Sequence, residues 1–463
     1  MFDVLIKNGL IVTAEGSSLQ DMAIAGEKIA RISPEINEHA MLTIDAAGKY
    51  LLPGLVDVRC DFLPKSPDQD AITQLTLGSR SAIFGGVTTV LQEITPPEQS
   101  DNLWQLIREQ RSLLKGHCYA DFGFHYLLNA LSQDSLSELD ILVEQGVSSV
   151  NVELCGSLAF PSQLLPQLFA RTKETGVLPC LHTADEAAIK RMEELLAQQR
   201  LTGPYYHSIS RPNSAEAQAI AAVLDAAAKA DDAPVYLQRV SCRESLEKIR
   251  QARSRSRLPI YLETCPHYLL LDSRSYFTEN ARSYLVEPPL RSPSDKRQLW
   301  SALGKGNIQV VTSDHRNLRL AEKTQITPGR PWDFRECPPG IPGGEYYLDL
   351  LHHFGVRQGK ISIERLVSVC CTNPALLMGL YPQKGQLAVG ADADVIIYDS
   401  ELRHSLQHQE EHGSDYCPYK GQKVVGGVHT VLLRGKPVVQ QGQLLESMPR
   451  GRFIPRARSM SAR

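Results

Sequence analysis

Residues 53–62 read PGLVDVRCDF, and the parsing of the whole chain turns on this stretch. Pro53 and Gly54 mark a turn, and a short apolar run follows that has the length of a buried strand. It ends at Arg59, Cys60 and Asp61, placing ionisable side chains at the tip of that strand. Before it, DVLIKNGLIVT, DMAIAGEKIARIS and MLTIDAAGKYLLPG read as strands divided by turn residues. After it the texture changes. Short apolar runs (LVDVRC, VTTVLQEI, YADFGFHYLL, SSVNVEL, LPCLH, PVYLQRV, PIYLET, IQVVTSD) alternate with helical stretches such as SAEAQAIAAVLDAAAKADD and SCRESLEKIRQARSRS. Eight strand candidates separated by helices are the pattern of a (β/α)8 TIM barrel.

Near residue 384 the strand texture returns, in KGQLAVGADADVIIYD and VHTVLLRGKPVVQQGQLLE. These segments are expected to join the N-terminal strands in a small β-sandwich formed by both chain ends. The expected divisions are residues 1–52 and 384–463 for the two parts of the sandwich and 53–383 for the barrel. The basic tail PRGRFIPRARSMSAR is expected to wrap a neighbour or fray.

The 463 residues carry a net charge of −3, with 42% hydrophobic and 22% charged residues, so neither nucleic acid nor a membrane is indicated as the main partner. No run approaches the ~18 apolar residues of a membrane span. The N-terminal MFDVLIKNGLIVTAEG alternates like a strand and lacks the features of a secretory signal. Ten cysteines are scattered without a CxxC pair, which suits reduced thiols and a cytoplasmic location.

In a TIM barrel the chemistry sits at the C-terminal strand ends. Those ends carry Arg59 and Asp61, Gln92 and Glu93, Asn151 and Glu153, His182, Arg239, Glu263, and Asp314 with His315. So many ionisable groups inside apolar runs point to a shared site rather than to separate surface positions.

The ordered stretches LLPGLVDVRCD, GGVTTVLQE, GVSSVNVEL, LHTADEAAI, TGPYYHSISRPNSAEAQAI, APVYLQRVSC, ETCPHYLLLD, EPPLR, VTSDH, PPGIPGGE and NPALLMGLYPQKGQLAVGADADVIIYD resemble the cyclic amidohydrolases. The resemblance spans essentially the whole chain and is to dihydropyrimidinases and hydantoinases, more distantly to dihydroorotases and allantoinases. It implies a metal-dependent hydrolase of the TIM-barrel type, usually tetrameric, that opens a cyclic amide or imide with a metal-bound hydroxide.

Carried over by position, the implied site is heavily altered. The two histidines of the first strand fall at Arg59 and Asp61, and the carboxylated, metal-bridging lysine of the fourth strand falls at Asn151. The histidine of the sixth strand falls at Arg239, while the fifth-strand histidine and the eighth-strand aspartate are kept as His182 and Asp314. The substrate positions differ too: the family's tyrosine falls at Gly156, its serine at Glu287 and its asparagine at Pro339.

Arginine is always protonated and has no lone pair to give a metal. At ~4 Å and an effective dielectric near 20, one guanidinium opposes a divalent ion by roughly 8 kcal/mol. Arg59 and Arg239 are therefore expected to pair with Asp61, Glu153 and Asp314 where the family has cations. No cofactor is expected on this reading, with weak zinc or manganese on His182, Asp314, Asp61 and Glu153 as the alternative. The expected function is a catalytically silent, structural or regulatory subunit. It would be a homo-oligomer, tetramer or dimer, with a possible hetero-assembly beside an active paralogue or another enzyme. Two alternatives stand beside it. One is a cyclic-amide hydrolase with a mononuclear or metal-free site and Asp314 as catalytic base. The other is a binding module in which the two arginines hold an anionic small molecule.

Other polar positions read as structural. Cys60 should pack in the core, and His267 should be structural at a strand end. His404, His408 and His412 should lie on a solvated loop, Glu410 and Glu411 in a solvated charge run, and Pro96 and Pro97 in a rigid loop.

Overall fold

The computed structural model describes residues 1–62, 70–95, 103–129, 133–156, 159–326, 329–409, 412–445 and 447–459; Pro96, Pro97, Glu410 and Glu411 fall outside these. The fold is a (β/α)8 TIM barrel with a small β-sandwich formed by both chain ends. The chain divides into two units. The first comprises Met1–Gln92, Arg111–Gly123 and Gly343–Ile454, and the second Glu93–Gln110, Phe124–Pro342 and Pro455–Arg463.

In the first unit, the short strand Tyr50–Pro53 unites the two chain ends. It runs parallel to Phe2–Val12, with Leu10 opposite Tyr50, and antiparallel to Val395–Ser405, with Val395 opposite Pro53. Beyond these lie Ser17–Ala25 and Lys28–Ser33 on one side, and Lys423–Leu433, Lys436–Gln440 and Gln443–Leu444 on the other. Alternation along the strands sends Val4, Ile6, Met22, Ile24, Val395, Ile397 and Leu432 into one core, each no more than 4% exposed. Each such side chain contributes about 1.5–3 kcal/mol on burial. The same unit carries the pairing of Leu55–Asp61 with Val87–Ile94, the first and second barrel strands, with Cys60 opposite Gln92. Cys60 is buried as expected and receives a hydrogen bond from Gln92 Nε2 at 2.8 Å. A buried Lys384 ties Asp121, Asp392 and Asp394 together at 2.6, 2.9 and 2.7 Å.

In the second unit the parallel strands follow in chain order. Tyr126 faces Val150, Cys180 faces Asn151, His182 faces Glu153, Leu181 and Leu262 both flank Leu237, and Glu263 faces Val310. These strands are buried along almost their whole length, as parallel strands covered by helices on their outer face must be. Local signals set their ends. Gly176, at φ 75°, stops helix Leu165–Thr175 just before strand Leu178–His182. Three residues after His182, the Asp185 carboxylate accepts from the Ala188 N–H and starts helix Glu186–Gln198.

The tail departs from expectation. Arg456 is 4% exposed and donates to the Phe124 carbonyl and to Ser149 Oγ, the latter at 2.9 Å. A guanidinium with several fixed donors satisfies buried acceptors that a frayed tail would leave to water.

Candidate functional site

The fourth barrel strand, Ser149–Glu153, carries Asn151 and Glu153, and each is held by a neighbour. Asn151 is fully buried; its Nδ2 donates to Glu93 Oε2 at 2.8 Å, and its Oδ1 accepts from Gln238 Nε2 at 3.1 Å. An amide, with donor and acceptor ends, can link a carboxylate to a second amide in this way. Two residues on, Glu153 accepts from Arg239 Nη2 at 3.2 and 3.4 Å, and Arg239 Nη1 donates to the Glu287 carbonyl at 3.1 Å.

Arg239 stands just past the strand Val235–Leu237 with φ 54°, a conformation that non-glycine residues seldom adopt. Its N–H donates to Glu263 Oε1 at 3.3 Å, and Tyr236 Oη donates to the other oxygen of that carboxylate at 2.8 Å. Glu263 thus anchors the backbone from which the guanidinium reaches Glu153. Next to it, the Glu287 carboxylate pairs with Arg211 Nε at 2.5 Å, and Arg211 Nη1 pairs with Glu193 at 2.8 Å.

Among the described residues, two groups of metal-type donors gather in this unit: Glu153, Cys155 and His182, and Cys265, His267 and Asp314. Within each group the ligand atoms all lie within 4.8 Å of one another. The first group straddles adjacent strands, where His182 is the register partner of Glu153. Burial, with Glu287 and Glu153 close by, pushes the Cys155 thiol up. The second group is deeper, with Cys265, His267 and Asp314 at 0%, 1% and 5% exposure. His267 Nε2 lies 3.9 Å from Asp314 Oδ2, and neither ring nitrogen of His267 makes a hydrogen bond among the described residues. Burial pulls its pKa down to about 4, against the opposing pull of Asp314, so the imidazole is neutral at neutral pH.

Arg59 and Asp61 lie at the end of Leu55–Asp61 in the first unit, Arg59 buried and Asp61 half-buried. Gly156 has φ 91° and open space around it. The Pro339 carbonyl accepts from Arg316 Nη1 at 3.1 Å. Lys323 Nζ ties this loop down by donating to the carbonyls of Leu285, Pro338 and Gly340 at 2.8, 3.1 and 2.6 Å. It thereby fixes the segments bearing Glu287 and Pro339.

The histidine-rich stretch near residue 404 is not a solvated loop. His404 lies within strand Val395–Ser405, beside Asp349 at 3.3 Å, and His412 is buried, pairing with Glu345 at 2.6 Å and stacking on Phe84 at 3.6 Å. These side chains border a separate cavity of about 560 Å³ in the first unit.

The amidohydrolase family matches residues 50–438. D-phenylhydantoinase of Escherichia coli O1:K1 / APEC is 36% identical over 457 residues, covering 98% of both chains. Among solved structures, dihydropyrimidinase from Brevibacillus agri NCHU1002 aligns over 99% of both chains with TM-score 0.92 and 31% identity. L-hydantoinase (dihydropyrimidinase) from Arthrobacter aurescens aligns over 98% of this chain and all of its own with TM-score 0.88 and 28% identity.

The expectation that no cofactor is needed is corrected by these findings. The matching family is one of metal-dependent hydrolases, and the chain gathers two sulfur–nitrogen–oxygen donor groups fit for a divalent ion. The expectation counted His182, Asp314, Asp61 and Glu153, and Cys155, Cys265 and His267 come in beside them. The residues fit a single ion with three protein ligands and an open fourth position. Where the resemblance puts a bridging lysine stands Asn151, whose amide cannot be carboxylated.

Proposed function

The chain belongs to the amidohydrolase family, and on that premise we propose that it hydrolyses the C–N bond of cyclic amides, in the manner of hydantoinases and dihydropyrimidinases, with one divalent metal at an atypical site. The observation that carries this reading is the gathering of N, O and S donors around His182 and around Asp314, the two residues kept at the family's metal positions. When bound, the ion would activate water and polarise the ring carbonyl.

The chain's own residues supply the rest. Asp314 is the base: its carboxylate takes the proton of the attacking water and returns it to the ring nitrogen as the C–N bond breaks. Arg239 and Glu153 hold each other in place, and the Arg211–Glu287 pair sets the charge beside them. Pro339 has no N–H, and its carbonyl is engaged by Arg316, so the imide edge must be met by other groups. The chain is further taken to act as a homo-oligomer in the cytoplasm, with the barrel at residues 53–383 between the two sandwich parts, 1–52 and 384–463.

The test is ring opening of hydantoin, dihydrouracil and their 5-substituted forms by zinc-, cobalt- or manganese-loaded protein. Turnover that disappears on chelation and in Asp314→Asn is expected. No turnover with any of these metals sinks the reading. That result would favour a second one, supported by the guanidinium of Arg239 on Glu153: a silent structural or regulatory subunit.

A further inference from the structure

We propose that Cys265, His267 and Asp314 form a thiolate-containing zinc site with an open fourth position, and that the neighbouring group of Glu153, Cys155 and His182 is kept from metal by Arg239. This rests on the reading above that one divalent cation serves the site, and it names the residues that hold it.

The three donors come from two strand ends. Cys265 follows strand Ile260–Thr264, and Pro266 opens a short helix that places His267 one turn position on. Asp314 follows Val310–Val311, its backbone at φ 48°. A tetrahedral zinc with bonds of 2.0–2.3 Å needs donors roughly 3.3–3.8 Å apart. The present donor atoms lie within 4.8 Å of one another, so modest side-chain rotation closes the set. His267 is 1% exposed, and neither ring nitrogen makes a hydrogen bond among the described residues. Buried imidazoles are normally satisfied, and a metal on one nitrogen would satisfy this one. A cysteine–histidine–aspartate relay is the other chemistry such residues could serve. It needs a hydrogen-bonded histidine, and none is formed here.

In the other group, Glu153 is taken by Arg239 through both carboxylate oxygens, so its lone pairs face a fixed cation. That pairing also neutralises Arg239 beside the proposed ion. A thiolate with imidazole and one carboxylate selects zinc or cobalt over magnesium, calcium or manganese.

The test is a cobalt titration of the full-length chain after chelation, followed by absorbance. One equivalent should bind with a thiolate-to-cobalt charge-transfer band that zinc abolishes. Cys265→Ser should lose the band, and Cys155→Ser should keep it. His267→Gln should weaken binding at least tenfold with circular dichroism unchanged, which covers the case of a poorly folding Cys265 variant. A band lost in Cys155→Ser but kept in Cys265→Ser, unchanged affinity in His267→Gln, or no stoichiometric binding overturns the assignment. Turnover is not read here. A correct band without ring opening would sink the hydrolase reading alone, and a band on Cys155 would sink this assignment alone.

Discussion

The Arg239 guanidinium grips the Glu153 carboxylate through one nitrogen, Nη2, at 3.2 and 3.4 Å, with Arg239 3% and Glu153 18% exposed at the side chain. Where the family resemblance implies a metal-ligating histidine, this chain thus has a cation that already owns its anion. The pair has consequences for stability as well as for metal binding.

Removing one partner of a buried ion pair strands the other charge, at a cost of about 3–5 kcal/mol. Because Glu153 keeps some water contact, Arg239→Met should lose about 3 kcal/mol in urea unfolding. The double variant Arg239→Met/Glu153→Gln should lose less, since no charge is stranded. The same double variant should not raise zinc stoichiometry, whereas Arg239→Met alone, with Glu153 released, should raise it from one toward two.

At Asn151, replacement by aspartate would set two carboxylates against each other across the 2.8 Å contact to Glu93. Such a pair shares a proton at low pH and repels once both are ionised. The Asn151→Asp protein should therefore be near wild type at pH 5 and less stable at pH 8, by about 2 kcal/mol. A flat difference between the two pH values in urea unfolding would contradict this arrangement.

Lys323 offers a pH test of the loop that carries Pro339. Burial pulls its pKa from 10.5 down to about 8 in the folded chain. Between those values the unfolded chain holds the extra proton, so stability rises as pH climbs from 8 to 10.5 and is flat below 8. The rise should approach about 3 kcal/mol and be absent in Lys323→Met. That variant should also start less stable at pH 7, because three buried carbonyls lose their donor. Urea midpoints at pH 7, 9 and 10 check both statements.

Metal loading should stabilise the fold by mass action. With free zinc at a hundredfold over its dissociation constant, stability should rise by about 2.7 kcal/mol relative to chelated protein. Thermal unfolding with and without chelator measures it. The gain should disappear in Cys265→Ser and persist in Cys155→Ser.

Arg456 tests the strapped tail. Arg456→Leu removes the donor to the Phe124 carbonyl and to Ser149, so about 2 kcal/mol should be lost in urea unfolding. A change within a few tenths of a kcal/mol would mean that the tail contributes nothing to the barrel.

Much of this molecule was legible from its residues alone. Strand and helix periods, Gly–Pro punctuation and the ordered stretches from LLPGLVDVRCD to GADADVIIYD determined the barrel, the sandwich and the family. They also carry the expectation of which family positions have changed, because register within a strand fixes which residue reaches the strand's end. What the sequence could not disclose was who meets whom across strands. Cys265 and Asp314 are far apart in the chain, and nothing in ETCPHY or VTSDH says that thiol, imidazole and carboxylate come within 4.8 Å. Nor could it say that Arg239 would take Glu153 while Asp314 stood with His267. Spacing along a chain encodes the period of one strand or helix. The distance between side chains on neighbouring parallel strands depends on register, backbone kinks and rotamers, and these are settled only when the sheet closes and its interior packs.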